Sequence, residues 1–166
     1  MTSVNLSNNP GIGVLTLDYH KLTQINVSNL SGLHHFHCIG NELTALDVTQ
    51  NPALTALYCD NNHITELDLS RNKALTEVHC YGQTAKGLIV KATDKSYEVD
   101  IKDYVKNLEN LDVYSFQANH RNEPFVSYED GVVTFSELPE NVTYFYRTHS
   151  PNNALMDVTI ERSLII

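Results

Sequence analysis

Tryptophan is missing from the 166 residues and basic side chains are scarce: 11 Lys and Arg stand against 20 Asp and Glu, a formal charge of −9. Nucleic-acid binding needs a basic face and anionic lipid attracts basic patches, so charge argues against both partners. No apolar run approaches the roughly 20 residues of a membrane-spanning helix. The opening Met1-Thr2-Ser3-Val4 has neither the basic nor the apolar region of a signal peptide. No Gly-rich phosphate loop occurs, because Gly11-Ile12-Gly13 falls on a bend of the repeat set out below. No serine sits in a nucleophile-elbow motif, and the acidic pair Glu129-Asp130 falls at an expected hairpin turn. The chain is therefore not expected to be an enzyme or to hold a cofactor. What remains is 42% apolar residues, enough to build the core of one large or two small domains.

The apolar residues recur. Leu33-x-x-Phe36-x-Cys38-x-x-Asn41-x-Leu43 returns as Leu54-x-x-Leu57-x-Cys59-x-x-Asn62-x-Ile64, and again as Leu75-x-x-Val78-x-Cys80-x-x-Gln83. The step is 54 − 33 = 75 − 54 = 21 residues. Between these blocks Leu46-Asp47-Val48-x-x-Asn51 repeats as Leu67-Asp68-Leu69-x-x-Asn72. Sliding the frame backwards recovers Val4, Leu6, Ile12, Leu15, Leu17, Ile25 and Val27 in the apolar columns, with His20 in the place of Asn41. A period of 20–29 residues with this pattern marks a leucine-rich-repeat solenoid. One turn buries too little apolar surface to offset the ordering of its backbone, so turns must stack and share a core. The asparagines are read as structural, each satisfying buried backbone groups of neighbouring turns at a bend.

The three cysteines invite a redox or metal reading that spacing rejects. Stacked in one column, they stand about 4.8 Å apart, whereas a disulfide wants Cβ atoms near 3.8 Å. One zinc, with sulfurs at about 2.3 Å, cannot reach both Cys38 and Cys80. Cys38, Cys59 and Cys80 are read as buried, reduced, inward-facing small hydrophobes.

After Gln83 the frame decays, leaving Leu88-Ile89-Val90 as a last partial turn. Short alternating strands follow: Tyr97, Val99 and Ile101; Leu111, Val113 and Ser115; then segments 142–147 and 156–160. Asp130-Gly131 is a hairpin signal, and residues 107–110 hint at a helical turn. The expected architecture is mainly β, with a solenoid over residues 1–90 and a small immunoglobulin-like β-sandwich over 91–166. The sandwich is expected to cover the open C-terminal edge of the solenoid.

The unit L-x-x-L-x-C-x-x-N-x-L-T-x-L-D-[VL]-[ST]-x-N-x-x-L resembles bacterial cell-surface leucine-rich-repeat proteins of the internalin type. It is most similar to the branch with a cysteine ladder and 21-residue repeats, and the likeness covers residues 4–90. The tail more distantly resembles the immunoglobulin-like module that follows such repeats. The resemblance implies a secreted or surface-attached recognition or adhesion protein. The sequence departs from the family in lacking a wall-sorting signal, a lipidation motif and a helical N-terminal cap.

In such a repeat the residues beside the inward Leu and Cys point outward from the strands. One outward column runs Thr16, His37, Tyr58, His79, flanked by Ile39, Asp60 and Tyr81 on one side and His35, Ala56 and Glu77 on the other. Tyr and His offer flat contact area with polar tips, the composition favoured at protein interfaces. His35, His37, Tyr58, Asp60, Glu77, His79 and Tyr81 are the candidate ligand-binding residues, and a protein ligand is the expected partner. A glycan stacking on Tyr19, Tyr58 and Tyr81 is the second reading, which the missing tryptophan disfavours; a bare surface spacer is the third. No metal site is expected: His35 and His37 share a face about 6.5–7 Å apart, and His79 stands about 9.6 Å from His37.

Overall fold

Strands of three residues carry the repeat. The structure, a computed structural model, describes residues 3–111, 117–118 and 127–162. β1 (Val14–Thr16), β2 (His35–His37), β3 (Ala56–Tyr58) and β4 (Glu77–His79) form one parallel sheet in that order. His37 pairs with Tyr58 and Tyr58 with His79, so the ladder register is the 21-residue step of the sequence. The middle residues Leu15, Phe36, Leu57 and Val78 are buried while their neighbours face outward, the alternation a pleated strand imposes. Behind them Leu22, Leu43 and Ile64, then Val27, Val48 and Leu69, form apolar columns of the shared core.

Cys38, Cys59 and Cys80 are all free and fully buried. Desolvation pushes the Cys59 thiol well above its ordinary value, and Cys80 up to about 12 from 9.0. For Cys80 that shift alone removes about a thousandfold of the reactive thiolate, so native alkylation by iodoacetamide should be slower by at least that factor than in denaturant. A reaction at the unfolded rate would place the thiols outside the core. The sign for stability follows. Raised folded pKa values contribute stability that is complete below pH 9.0 and lost as the pH climbs from there towards about 12.

The asparagine columns bind turn to turn. Asn41 Oδ1 accepts from the amides of His20 and Leu22, and its Nδ2 donates to the carbonyls of Leu17 and Cys38. Asn62 repeats this one turn later, and Gln83 extends the column, donating to Cys59 O at 2.9 Å and accepting from Ile64 N at 3.1 Å. At the opposite bend Asn51 Nδ2 donates to Val27 O and Leu30 O, and Asn72 Nδ2 to Val48 O and Asn51 O. A second device recurs at 5, 26, 47 and 68, where an Asn or Asp side chain accepts the amide two residues on. A third is a left-handed backbone at Tyr19, Gly40, Asn61 and Gly82, one per turn. Gly40 is held to glycine by its neighbour: an added Cβ would fall 2.3 Å from Tyr19 Cδ1, whose ring lies over it, whereas Tyr19 and Asn61 adopt the same φ without being glycine.

The second half forms two sheets of an Ig-like sandwich. β6 (Lys91–Ala92), β7 (Tyr97–Asp100), β10 (Val132–Phe135) and β9 (Ser127–Glu129) make one, antiparallel throughout. β5 (Gln83–Lys86), β12 (Leu155–Glu161), β11 (Asn141–Arg147) and β8 (Gln117–Ala118) make the other. The Asp130-Gly131 hairpin turns β9 into β10, with φ of 44° and 83° at its two loop residues, the positive angles a two-residue turn of type I′ demands. The helical turn expected near 107–110 is a 3₁₀ turn over Leu108–Asn110.

Two local readings change. Ile101 was expected to continue the strand of Tyr97 and Val99, yet β7 stops at Asp100, whose Oδ1 accepts from Lys102 N and caps a 3₁₀ turn over Ile101–Asp103. Ile101 is buried all the same. Residues 83–86 read as the decay of the repeat and are instead β5, paired in parallel with β12 from Gln83↔Val158 to Lys86↔Glu161. The strand expected around Val113 and Ser115 falls outside the described residues.

Candidate outward strand face

Because successive strands stack in register, side chains of one outward column are held about one strand spacing apart. For His37, Tyr58 and His79 that distance suits ring stacking. The His37 and Tyr58 centroids are 4.2 Å apart with planes 16° off parallel, and Tyr58 and His79 follow at 4.8 Å and 17°. Tyr81 closes the row edge-on against His79 at 6.4 Å, and His34 meets His35 edge-on at 5.1 Å. The sheet thus carries a continuous imidazole–phenol–imidazole ladder on its outer surface.

Glu77 serves that ladder twice. Its Oε1 lies 3.5 Å from His79 Nε2, and hydrogen bonding to its carboxylate raises the Tyr58 hydroxyl above its ordinary value. Both His79 and Glu77 are about half exposed, so their contact orients rings more than it stabilises the fold. Between His35 and Glu77 the small Ala56 is covered to 4% exposure, leaving a shallow dip in the row. Asp60 has a prior engagement: its Oδ1 accepts from Tyr81 N at 2.8 Å, as Asp18 Oδ1 accepts from Ile39 N two turns earlier. One carboxylate oxygen of Asp60 therefore holds the rim in place.

The structure brings His35, His37, Tyr58, Glu77, His79 and Tyr81 onto one surface, with Asp60 at its edge. Tyr19 and Tyr81 are the large exposed rings, at 73% and 54%. Tyr58 differs from both, because an imidazole covers each face of its ring. Among the described residues no group of three or more His, Cys, Asp or Glu is gathered closely enough to hold a metal ion, and no helix is long and apolar enough to cross a membrane.

No protein-family model matches the sequence, and no curated protein is similar to it. Solved structures are similar in fold. One is InlP of Listeria monocytogenes, 19% identical, with a TM-score of 0.50 over 98% of this chain and 50% of that one. Another is the functional domain of InlJ from Listeria monocytogenes, described as including a cysteine ladder, 19% identical, TM-score 0.35, over 98% of this chain and 51% of that one. The CBM51-2 and INT domains of Clostridium perfringens ZmpB, solved with GlcNAc, match at 18% identity and a TM-score of 0.44 over 82% of this chain and 31% of that one. The chain spans about half the length of the two Listeria proteins. Its fold is that of the internalins: a leucine-rich-repeat parallel sheet followed by Ig-like antiparallel sheets.

Proposed function

We propose that the chain is the non-enzymatic recognition module of a secreted or surface-attached bacterial protein, binding a protein ligand through the outward strand face. The observation that carries this reading is the His37–Tyr58–His79 ladder. A spacer has no use for three stacked polar rings on its outer surface. Fixed rings lose little entropy on binding and present a row of ring edges with hydrogen-bonding tips to a partner. The glycan reading is weaker by the same geometry. A sugar stacks on a free ring face, and the imidazoles of His37 and His79 occupy both faces of Tyr58, leaving only Tyr19 and Tyr81 of the three platforms.

The test is a binding screen of the folded chain against extracellular host proteins and a glycan array, repeated with His37→Ala/Tyr58→Ala/His79→Ala. A protein ligand should be found, and the triple variant should lose about a hundredfold in affinity or more, the loss expected if one of the three is a hot spot. Its melting temperature should barely move, since the three side chains lie on the surface. A ligand bound equally by the variant, or found only on the glycan array, would sink the reading.

A further inference from the structure

Histidine is unevenly spread along the chain. Residues 1–90 hold six of the eight, beside 7 Asp and Glu and 4 Lys and Arg. Residues 91–166 hold the other two, beside 13 acidic and 7 basic side chains. Imidazole is the side chain that changes charge between about pH 5 and 8. Full protonation therefore carries the formal charge of the solenoid from −3 to +3, and that of the sandwich only from −6 to −4. The concentration is sharper on the outward strand face. Segments 13–18, 34–39, 55–60 and 76–81 contain the four strands and their flanks. They hold Asp18, Asp60 and Glu77, four histidines, and no Lys or Arg. As His34, His35, His37 and His79 protonate, three negative charges become one net positive charge.

We propose that the strand face is a charge-reversing recognition surface, which takes a partner surface of Lys and Arg side chains at neutral pH and releases it on acidification. This rests on the strand face being where the ligand binds. The geometry lets the charge reverse without loss of shape. His37 and His79 lie against the two faces of Tyr58, their planes 16° and 17° off parallel with its ring. A cation over an aromatic face is attracted by the ring, so both imidazolium groups keep their places on the ladder. Glu77 is the carboxylate nearest the row, 3.5 Å from His79 Nε2, and protonation of His79 offsets it. Asp60 and Asp18 stand at the edge, each with one oxygen already accepting an amide, from Tyr81 and Ile39. Tyr58 and Tyr81 are phenols, which stay neutral across this range. On the other flank His34 and His35 meet edge-on at 5.1 Å, a spacing at which two imidazolium charges reinforce one another against an approaching cation. A basic partner surface thus meets carboxylates at neutral pH and a row of like charges in acid.

The experiment reads the face with two small nitroxides, cationic aminomethyl-PROXYL and anionic carboxy-PROXYL. Each is added separately to the full chain at about pH 7.5 and about pH 5.0, and amide relaxation is followed by NMR. At the higher pH the amides of residues 35–37, 56–58 and 77–79 should relax about twofold or more faster with the cation than with the anion, and at the lower pH the order should reverse. The amides of β7 and β10, strands without histidine, should not reverse. In His35→Gln/His37→Gln/His79→Gln the face should prefer the cation at both pH values. A protein captured in the binding screen at the higher pH should bind about tenfold or more weakly at the lower. A face that favours the same probe at both pH values, or a Gln variant that still reverses, overturns the proposal whether or not a ligand is known. A face that reverses while the captured protein binds equally well in acid overturns it and leaves the recognition reading standing. A face that reverses and captures no protein overturns the recognition reading, and this proposal with it.

Discussion

Asn62→Ala should lower the melting temperature by about 10 °C or more, the largest loss expected from any single polar substitution here. Asn62 is 1% exposed, so its partners have no water to turn to. Its Oδ1 accepts from Leu43 N at 3.1 Å, and its Nδ2 donates to the carbonyls of Cys38 at 2.9 Å and Cys59 at 3.0 Å. Alanine strands the Leu43 amide in a dry bend, at about 1–3 kcal/mol, and takes one of two donors from each of the Cys38 and Cys59 carbonyls, which Asn41 and Gln83 still serve, at about 0.5–1.5 kcal/mol apiece, so roughly 2–6 kcal/mol in all. A domain of this size loses about 2–4 °C per kcal/mol. Leu43, Cys38 and Cys59 belong to two successive turns, so the damage spreads along the stack. Asn62→Gln should cost much less, because Gln83 already fills this column with an amide one methylene longer. A fall under about 2 °C for the alanine variant, measured by circular dichroism, would show that backbone pairing alone joins the turns.

That role for asparagine was legible in the sequence because the solenoid repeats its local problem every 21 residues and solves it with the same side chain. Periodicity made the signal: a lone Asn62 would read as a loop residue, whereas Asn41, Asn62 and Gln83 in register with three cysteines read as a column. The same register placed the outward ladder, since His37, Tyr58 and His79 occupy one position of the frame. Ring geometry was not legible, because stacking depends on rotamers the pattern does not constrain. β5 was invisible for a different reason. In the preceding turn the equivalent positions 62–65 make no strand, and 83–86 becomes one only because β12, more than 70 residues away, lies alongside. A cleft at the junction escaped for the same cause, drawing on the solenoid at Asp68, a 3₁₀ turn at Asn110, Tyr146 of β11 and His149 just beyond that strand, which no local spacing links. Long-range pairing decides both features, and single-sequence patterns report only short range.

The junction also predicts the fate of a shortened chain. A protein ending at residue 90 should fail to fold as a soluble monomer, because the last turn of the solenoid is completed by the sandwich. Leu69 N donates to Thr148 O at 2.7 Å, Gly82 N to Asp157 Oδ1 at 2.9 Å, and the amides of Gly87 and Leu88 both donate to Glu161 O at 3.1 Å. Thr65 O accepts from the Tyr144 hydroxyl at 3.1 Å, and the Cys80 thiol meets Leu155 O at 3.5 Å. Removing residues 91–166 unpairs all of these, frees the whole β5 ladder and bares Val78, Leu88 and Cys80 to water. An apolar, unpaired strand edge is a template for association, so size-exclusion chromatography should return aggregate. The intact chain should melt in one transition. Tyr144→Phe/Asp157→Ala, which breaks two bonds across the junction with little loss of volume at position 144, should lower that single transition without splitting it. A monomeric 1–90 fragment melting near the full chain, or two separate transitions in the double variant, would show that the solenoid closes its own end and that the sandwich is merely tethered to it.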